Sequence, residues 1–214
     1  QKNHWFVYPS NKITMESVKG KNILLIGATG SIGAAVAKLL AGSSANLFLT
    51  GRNTEKLNQV ADAYNVPLER VFALDISKPE SVQQLKEAYF KQFTSIDILI
   101  NAAGIGIIKP VEQLTDQDFL QSVNCNLFGS FLLVKNFLPA MKEVKKGLII
   151  NIPGVLGKIP MAGAAAYSAS KFGLVGMMQS IREELKRTDI RITNLFLGGV
   201  DSAFWDNIDL RVQR

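Results

Sequence analysis

Short apolar runs alternate with longer amphipathic segments along this chain. The runs are Asn22–Ala28, Asn46–Thr50, Arg70–Leu74, Ile96–Ala102, Gly147–Ile152 and Arg191–Leu197. Each is rich in Ile, Leu, Val or Phe and shorter than a buried helix, the pattern of strands covered on both faces. The segments between them carry helix punctuation. Ser77 with Glu80 predicts a capping box, with Pro79 in the first turn, and Thr115 with Asp118 repeats the signal. A long helical stretch over Gln117–Lys146 contains Pro139, which is expected to kink or divide it. A second long helix is predicted over Ala164–Arg187. Six strands alternating with helices predict a single α/β domain over residues 21–214, built on a doubly wound parallel sheet. Residues 1–20 do not fit the alternation and are expected to lie outside the sheet as an N-terminal extension. Residues 198–214 are too few for a further crossover and strand, so the sheet is expected to end early or to lack a C-terminal strand.

Composition narrows the function without naming it. The 214 residues are 47% hydrophobic and 20% charged, enough for one domain with a sizeable core. No apolar run approaches the ~18 residues of a membrane span, and no block near Trp5–Tyr8 is long enough for a secretory signal. The single cysteine, Cys125, excludes an internal disulfide. It fits a reducing compartment, so a cytoplasmic location is expected, with the thiol buried and inert. With His4 the only histidine, zinc sites and His-based triads are not expected, and no metal is expected. The net charge of +6 is scattered. The cluster Lys142, Lys145, Lys146 falls at a predicted helix C-terminus, where cations are favoured anyway. There is no aromatic-interleaved basic stripe and no cationic amphipathic helix, so neither nucleic acid nor a membrane surface is an expected partner.

Two motifs carry chemistry. The first run leads into Gly27-Ala28-Thr29-Gly30-Ser31-Ile32-Gly33 and then an alanine-rich helix. Glycines there let backbone approach a pyrophosphate at a helix N-terminus with unpaired N–H groups. The acid that binds an adenosine ribose is expected near the end of the second strand, yet no acid lies between Gly42 and Asn53. Arg52 stands there instead, and a guanidinium can hold a 2′-phosphate, so NADP(H) is expected in preference to NAD(H). The second motif is Tyr167-Ser168-Ala169-Ser170-Lys171. Four-residue spacing on a helix brings Tyr167 and Lys171 to one face, about 5–6 Å apart at Cβ. An adjacent ammonium favours a phenolate, so the spacing predicts a Tyr167 proton that exchanges below the ordinary pKa near 10.

From Lys21 to about Asp206 the sequence resembles the short-chain dehydrogenase/reductase family, whose fold is Rossmann-like. The matching residues occur in family order. The glycine turn Gly27–Gly33 carries Ser31 in place of the middle glycine. Asp75 matches the acid that contacts the adenine amino group. Asn101, Ala102, Ala103 and Gly104 resemble the Asn-Asn-Ala-Gly stretch. Asn126 matches the helix asparagine that holds a water of the proton relay. Tyr167 and Lys171 match the catalytic pair. Gly199, Val200 and Ser202 match the segment that meets the nicotinamide, with Gly198 where the family has proline. The resemblance implies an oxidoreductase that interconverts a carbonyl and an alcohol by hydride transfer. Tyr167 would be proton donor or acceptor, and Lys171 would bind the nicotinamide ribose and lower the tyrosine pKa. The cofactor chemistry is the dinucleotide's own. Binding residues implied are Gly27, Thr29, Gly30, Ser31, Ile32, Gly33, Arg52, Asp75, Asn101–Gly104, Tyr167, Lys171, Gly199, Val200 and Ser202.

One departure matters. The family places a serine at the position of Gly154, and Leu148–Ala166 contains no Ser, Thr or Tyr at all. A preorganised donor to a developing oxyanion is worth about 3–4 kcal/mol, so ordinary turnover is expected to be weakened. Ser202, a water or the substrate could supply the donor. The alternative is an NADP(H)-binding protein without turnover, a sensor or assembly partner. The apolar stretch Pro153–Met161, with Phe204 and Trp205, implies a hydrophobic carbonyl or alcohol as substrate. The resemblance also implies a homodimer or homotetramer paired through the two long helices.

Overall fold

The computed structural model describes residues 15–202 and residue 204. The sixfold alternation read from the sequence is realised as one parallel sheet. Its strands are β1 (Asn22–Ile26), β2 (Asn46–Gly51), β3 (Val71–Ala73), β4 (Ile98–Asn101), β5 (Lys146–Asn151) and β6 (Asp189–Asn194), in the order β3-β2-β1-β4-β5-β6. The crossover helices are α1 (Ser31–Ala41), α2 (Thr54–Ala63), α3 (Pro79–Gln92), α4 (Asp116–Val123), α5 (Gly129–Glu143) and α6 (Ala165–Glu184). A 3₁₀ turn, Met15–Val18, leads into β1. Most of the expected 1–20 extension, and Trp205, lie outside the described residues.

Alternation along the strands sorts the core into two layers. Leu24 and Ile26 of β1 join Phe48, Leu99 and Ile149 on the face covered by α3, α5 and α6. Ile23 and Leu25 join Leu47, Leu49 and Ile100 on the face covered by α1 and α2. The first layer is centred on Tyr89, which is fully buried and packs edge-on against Phe137 with ring centroids 5.6 Å apart. The strand over Arg191–Leu197 is shifted. Pairing with β5 starts at Asp189 and stops at Asn194, and Arg191 and Thr193 are exposed, so this strand is covered on one face only.

Two helix expectations are corrected. The Ser77–Glu80 capping box does not form. Lys78 is the N-cap, without a side-chain hydrogen bond, and Pro79 opens α3. Ser77 donates its hydroxyl to Asp75 Oδ1 at 2.6 Å instead, a local side-chain bond that competes with the cap. The Thr115–Asp118 box does form, both bonds present. The stretch 117–146 is divided, but Pro139 stays inside α5. The break is a wide π turn, Asn124–Phe128, between α4 and α5.

The chain runs outward from β1 to β2 and β3, then returns to β4 on the other side of β1. Ile26 and Asn101 lie side by side at the carboxyl ends of the two central strands. Loops leaving this switch point diverge, and a crevice opens between them, the usual ligand position in such sheets.

Candidate active site

The glycine turn is built by contacts that only glycine permits. Gly27 has φ +83°, and a methyl there would lie 2.9 Å from the Ala103 backbone nitrogen. Gly33 packs α1 onto the turn so closely that a Cβ would sit 2.0 Å from the Gly27 carbonyl oxygen. The turn is tied to β2 by the Gly27 and Ala28 N–H groups, which donate to Thr50 O at 3.0 and 2.7 Å. A cleft of about 550 Å³ runs from this turn past Gly51, Arg52, Asn53 and Lys56 to Ala102–Ile105 and Cys125. Among the described residues, no carboxylate lines it. A side chain at Gly51 would intrude on Thr29 at 2.9 Å, so glycine keeps the cradle open. Arg52 and Lys56 are exposed at the start of α2, where Asn53 caps the helix by accepting from the Lys56 N–H. These residues fit a dinucleotide carrying extra negative charge at that end.

A second cavity of about 420 Å³ adjoins it, sharing Thr29, Gly30, Ala102 and Gly104. Ser31, Ile32, Gly154, Tyr167, Gly199, Val200 and Ser202 line it, with Ile152, Val155, Leu156, Met161, Leu197 and Phe204. Both cavities therefore gather most of the residues expected at the site. Gly33, Asp75, Asn101, Asn126 and Lys171 line neither cavity. Gly33 serves packing. Asp75 receives Ser77 and faces Lys78 at 3.5 Å, which hold its carboxyl below the usual range, while Leu74 and Ile76 line the cleft beside it. Asn101 points into the protein and donates to Ser130 Oγ at 2.8 Å.

That last contact starts a buried chain of polar groups. Ser130 donates to the Asn126 carbonyl at 2.8 Å. The Asn126 amide donates to Ile105 O and Ser170 Oγ, both at 2.9 Å, and accepts from the Ile105 N–H. Ser170 donates to the Tyr167 carbonyl at 2.7 Å. All partners are satisfied, so the chain locks the π turn, the loop after β4 and α6 in one arrangement. Ser130 and Ser170 were not anticipated; their signal was the spacing of four from Asn126 and three from Tyr167. Lys56 was likewise missed, four residues past Arg52.

Tyr167 and Lys171 do share a face. The Lys171 ammonium lies 5.6 Å from the Tyr167 ring centroid and 3.4 Å from the Ile152 carbonyl oxygen, to which it donates. It is buried, and a Cβ on Gly104 would come within 3.0 Å of it. Electrostatics reverse the expectation for the tyrosine. Burial pushes the Tyr167 phenol up to about 12. Burial also pushes Lys171 down, to about 8. Loss of solvation outweighs the attraction of the ammonium, which makes no hydrogen bond to the phenol. Lys171 is thus the stronger acid of the pair. Burial holds the Cys125 thiol up, although the residue is only partly buried and lines the cleft.

Gly154 is more than an absent hydroxyl. Its backbone sits at φ +71°, ψ 174°, a conformation almost confined to glycine. A Cβ there would meet nothing nearer than Leu197 O at 3.7 Å. The space would admit serine, but the backbone disfavours it.

The profile of the short chain dehydrogenases matches residues 21–212. The chain belongs to that family. An uncharacterized oxidoreductase of Staphylococcus epidermidis is 30% identical over 195 residues, spanning 91% of this chain and 84% of that protein. Among solved structures, a metagenomic short-chain oxidoreductase in complex with NADP superposes with TM-score 0.80 at 31% identity, covering 92% of this chain and 93% of the other. A short-chain dehydrogenase from Streptomyces avermitilis gives TM-score 0.81 at 25% identity, covering 86% of this chain and 68% of that one. Among the described residues of this short-chain dehydrogenase no group of three or more His, Cys, Asp or Glu could hold a metal ion. No described helix is long and apolar enough to cross a membrane.

Proposed function

We propose that this protein is an NADP(H)-dependent oxidoreductase that interconverts an apolar carbonyl compound and its alcohol at Tyr167. The observation that carries the reading is the adjoining of two cavities at Gly104: a carboxylate-free cleft with Arg52 and Lys56 at one end, and an apolar cavity lined by Tyr167 at the other. Arg52 and Lys56 would hold a 2′-phosphate, with the α2 N-terminus adding its partial positive charge. The complex of the metagenomic relative with NADP supports this choice. When bound, NADPH would supply a hydride, two electrons with their hydrogen, to the carbonyl carbon. Tyr167 gives its phenolic proton to the oxygen as the C=O π bond opens. The phenolate left behind takes a proton from Lys171, the stronger acid, and Lys171 recovers one from solvent. Asn126 and Ser170 position this pair through the buried chain.

The test is single-turnover NADPH oxidation across a panel of apolar aldehydes and ketones. Tyr167→Phe should lose about 10²–10⁴-fold in rate while binding NADPH unchanged. Wild type should prefer NADPH to NADH, and Arg52→Ala should erase the preference. The steady-state rate should fall as pH rises through about 8, where Lys171 loses the proton it returns to Tyr167 after each turnover. Equal affinity for both cofactors would remove the NADP(H) assignment. Absence of turnover would leave the second reading, a non-catalytic NADP(H)-binding protein, which the glycine-specific backbone at residue 154 favours.

A further inference from the structure

Phe204 follows β6 and reaches back across the site. Its ring lies 5.9 Å from the Tyr167 ring, tilted by 48°. The other end of the ring rests on Gly106, in the loop after β4. A methyl on Gly106 would stand 2.1 Å from Phe204 Cζ and 2.6 Å from Cε2. Gly106 is not one of the glycines held at positive φ, so its backbone does not itself demand glycine. Any side chain there would have to push the Phe204 ring aside. Phe204 and Tyr167 line the same 420 Å³ cavity, whose remaining wall includes Gly154 without a side chain and the apolar Ile152, Val155 and Met161.

Resting on the oxidoreductase reading above, we propose that Phe204, seated on Gly106, is a specificity-determining residue of the Tyr167 cavity. It spans from the loop after β4 to α6 and narrows the cavity beside the phenol. A carbonyl oxygen that reaches Tyr167 brings its substituent against this ring. A single-ring substituent is accepted, and a broader fused-ring one is refused. A close-packed wall discriminates by shape, at an energy set by the atoms that fail to fit.

The experiment compares kcat/KM for benzaldehyde and 9-anthraldehyde. Phe204→Ala should raise the anthraldehyde-to-benzaldehyde ratio by about tenfold or more. Gly106→Ala, whose methyl displaces the ring, should change the ratio in the parent protein and leave it unchanged in the Phe204→Ala background. Ratios unaltered by both substitutions, with turnover intact, overturn the proposal. If the parent protein reduces neither aldehyde, the oxidoreductase reading has failed separately. The pair is then measured as benzamide and 9-anthracenecarboxamide binding by calorimetry. A tenfold or greater gain in relative affinity for the larger amide in Phe204→Ala supports the proposal. An unchanged ratio, or no binding of either amide to either protein, overturns it.

Discussion

At the residue scale, the burial of the Lys171 ammonium comes at a cost to the fold. Lys171 has an ordinary pKa of 10.5 when solvated and about 8 in the folded protein. Between those values the unfolded chain binds the extra proton, so stability rises with pH from about 8 to 10.5; below 8 the burial penalty is fully present. Lys171→Met should therefore stabilise the ligand-free protein at pH 7 by about 1–3 kcal/mol and flatten the rise between pH 8 and 10. Urea denaturation at both pH values checks this; a variant with an unchanged pH slope contradicts it. Sequence spacing was enough to bring Tyr167 and Lys171 together. It could not give the direction of the tyrosine shift, because solvation depends on what covers the ring, and Phe204 comes from a distant segment. The same holds for Gly154. The sequence shows a lost hydroxyl, and only the backbone angles show that the loop is one that serine would strain by about 1–3 kcal/mol.

At the scale of elements, strands and caps obey local rules to different degrees. β1, β2 and β4 were legible because continuous apolar runs have few other uses in a chain of this length. The Thr115–Asp118 cap formed although Asp118 Oδ2, which accepts from the Thr115 N–H, also accepts from the Lys109 ammonium at 2.8 Å. The Ser77–Glu80 cap failed because Asp75 two residues earlier took the serine hydroxyl. The π turn at Asn124–Phe128 has no periodicity signal, since one wide turn leaves the flanking apolar pattern intact. The glycine turn is the element most sensitive to substitution. Gly33→Ala places a methyl against the Gly27 carbonyl, a backbone atom that cannot swing away. It should cost about 1–3 kcal/mol or more and abolish NADPH binding in a fluorescence titration. Gly42→Ala, at the end of the same helix with open space around it, should stay within about 0.5 kcal/mol.

At the scale of the whole molecule, the sheet order places the crevice, and exposed apolar side chains gather on α4, α5 and α6. Phe119 and Leu120 of α4, Phe128 and Phe131 at the π turn and the start of α5, and Phe172 of α6 are each between 37% and 52% exposed. Phe128 and Phe131 stack on one another, and α4 packs directly on α6. Such a patch on neighbouring helices is larger than isolated surface residues require. We propose a second copy of this chain as its partner, in line with the pairing that the family resemblance implies. Sedimentation velocity at micromolar concentration should show a dimer or tetramer, and Phe131→Lys with Phe172→Lys should give a monomer. A monomeric parent protein would end the proposal.

The π turn carries one consequence for how this protein tolerates change in length. A helix with a single surplus residue can shed it and close to ordinary pitch, its two flanks hardly displaced. The hydrophobic layers under α4 and α5 would persist. Asn126 would no longer be aimed at the backbone of residue 105, and the anchoring of Tyr167 through Ser170 would go with it. Loss of one codon in this stretch would thus give a protein that folds and expresses but no longer anchors Tyr167 through Ser170.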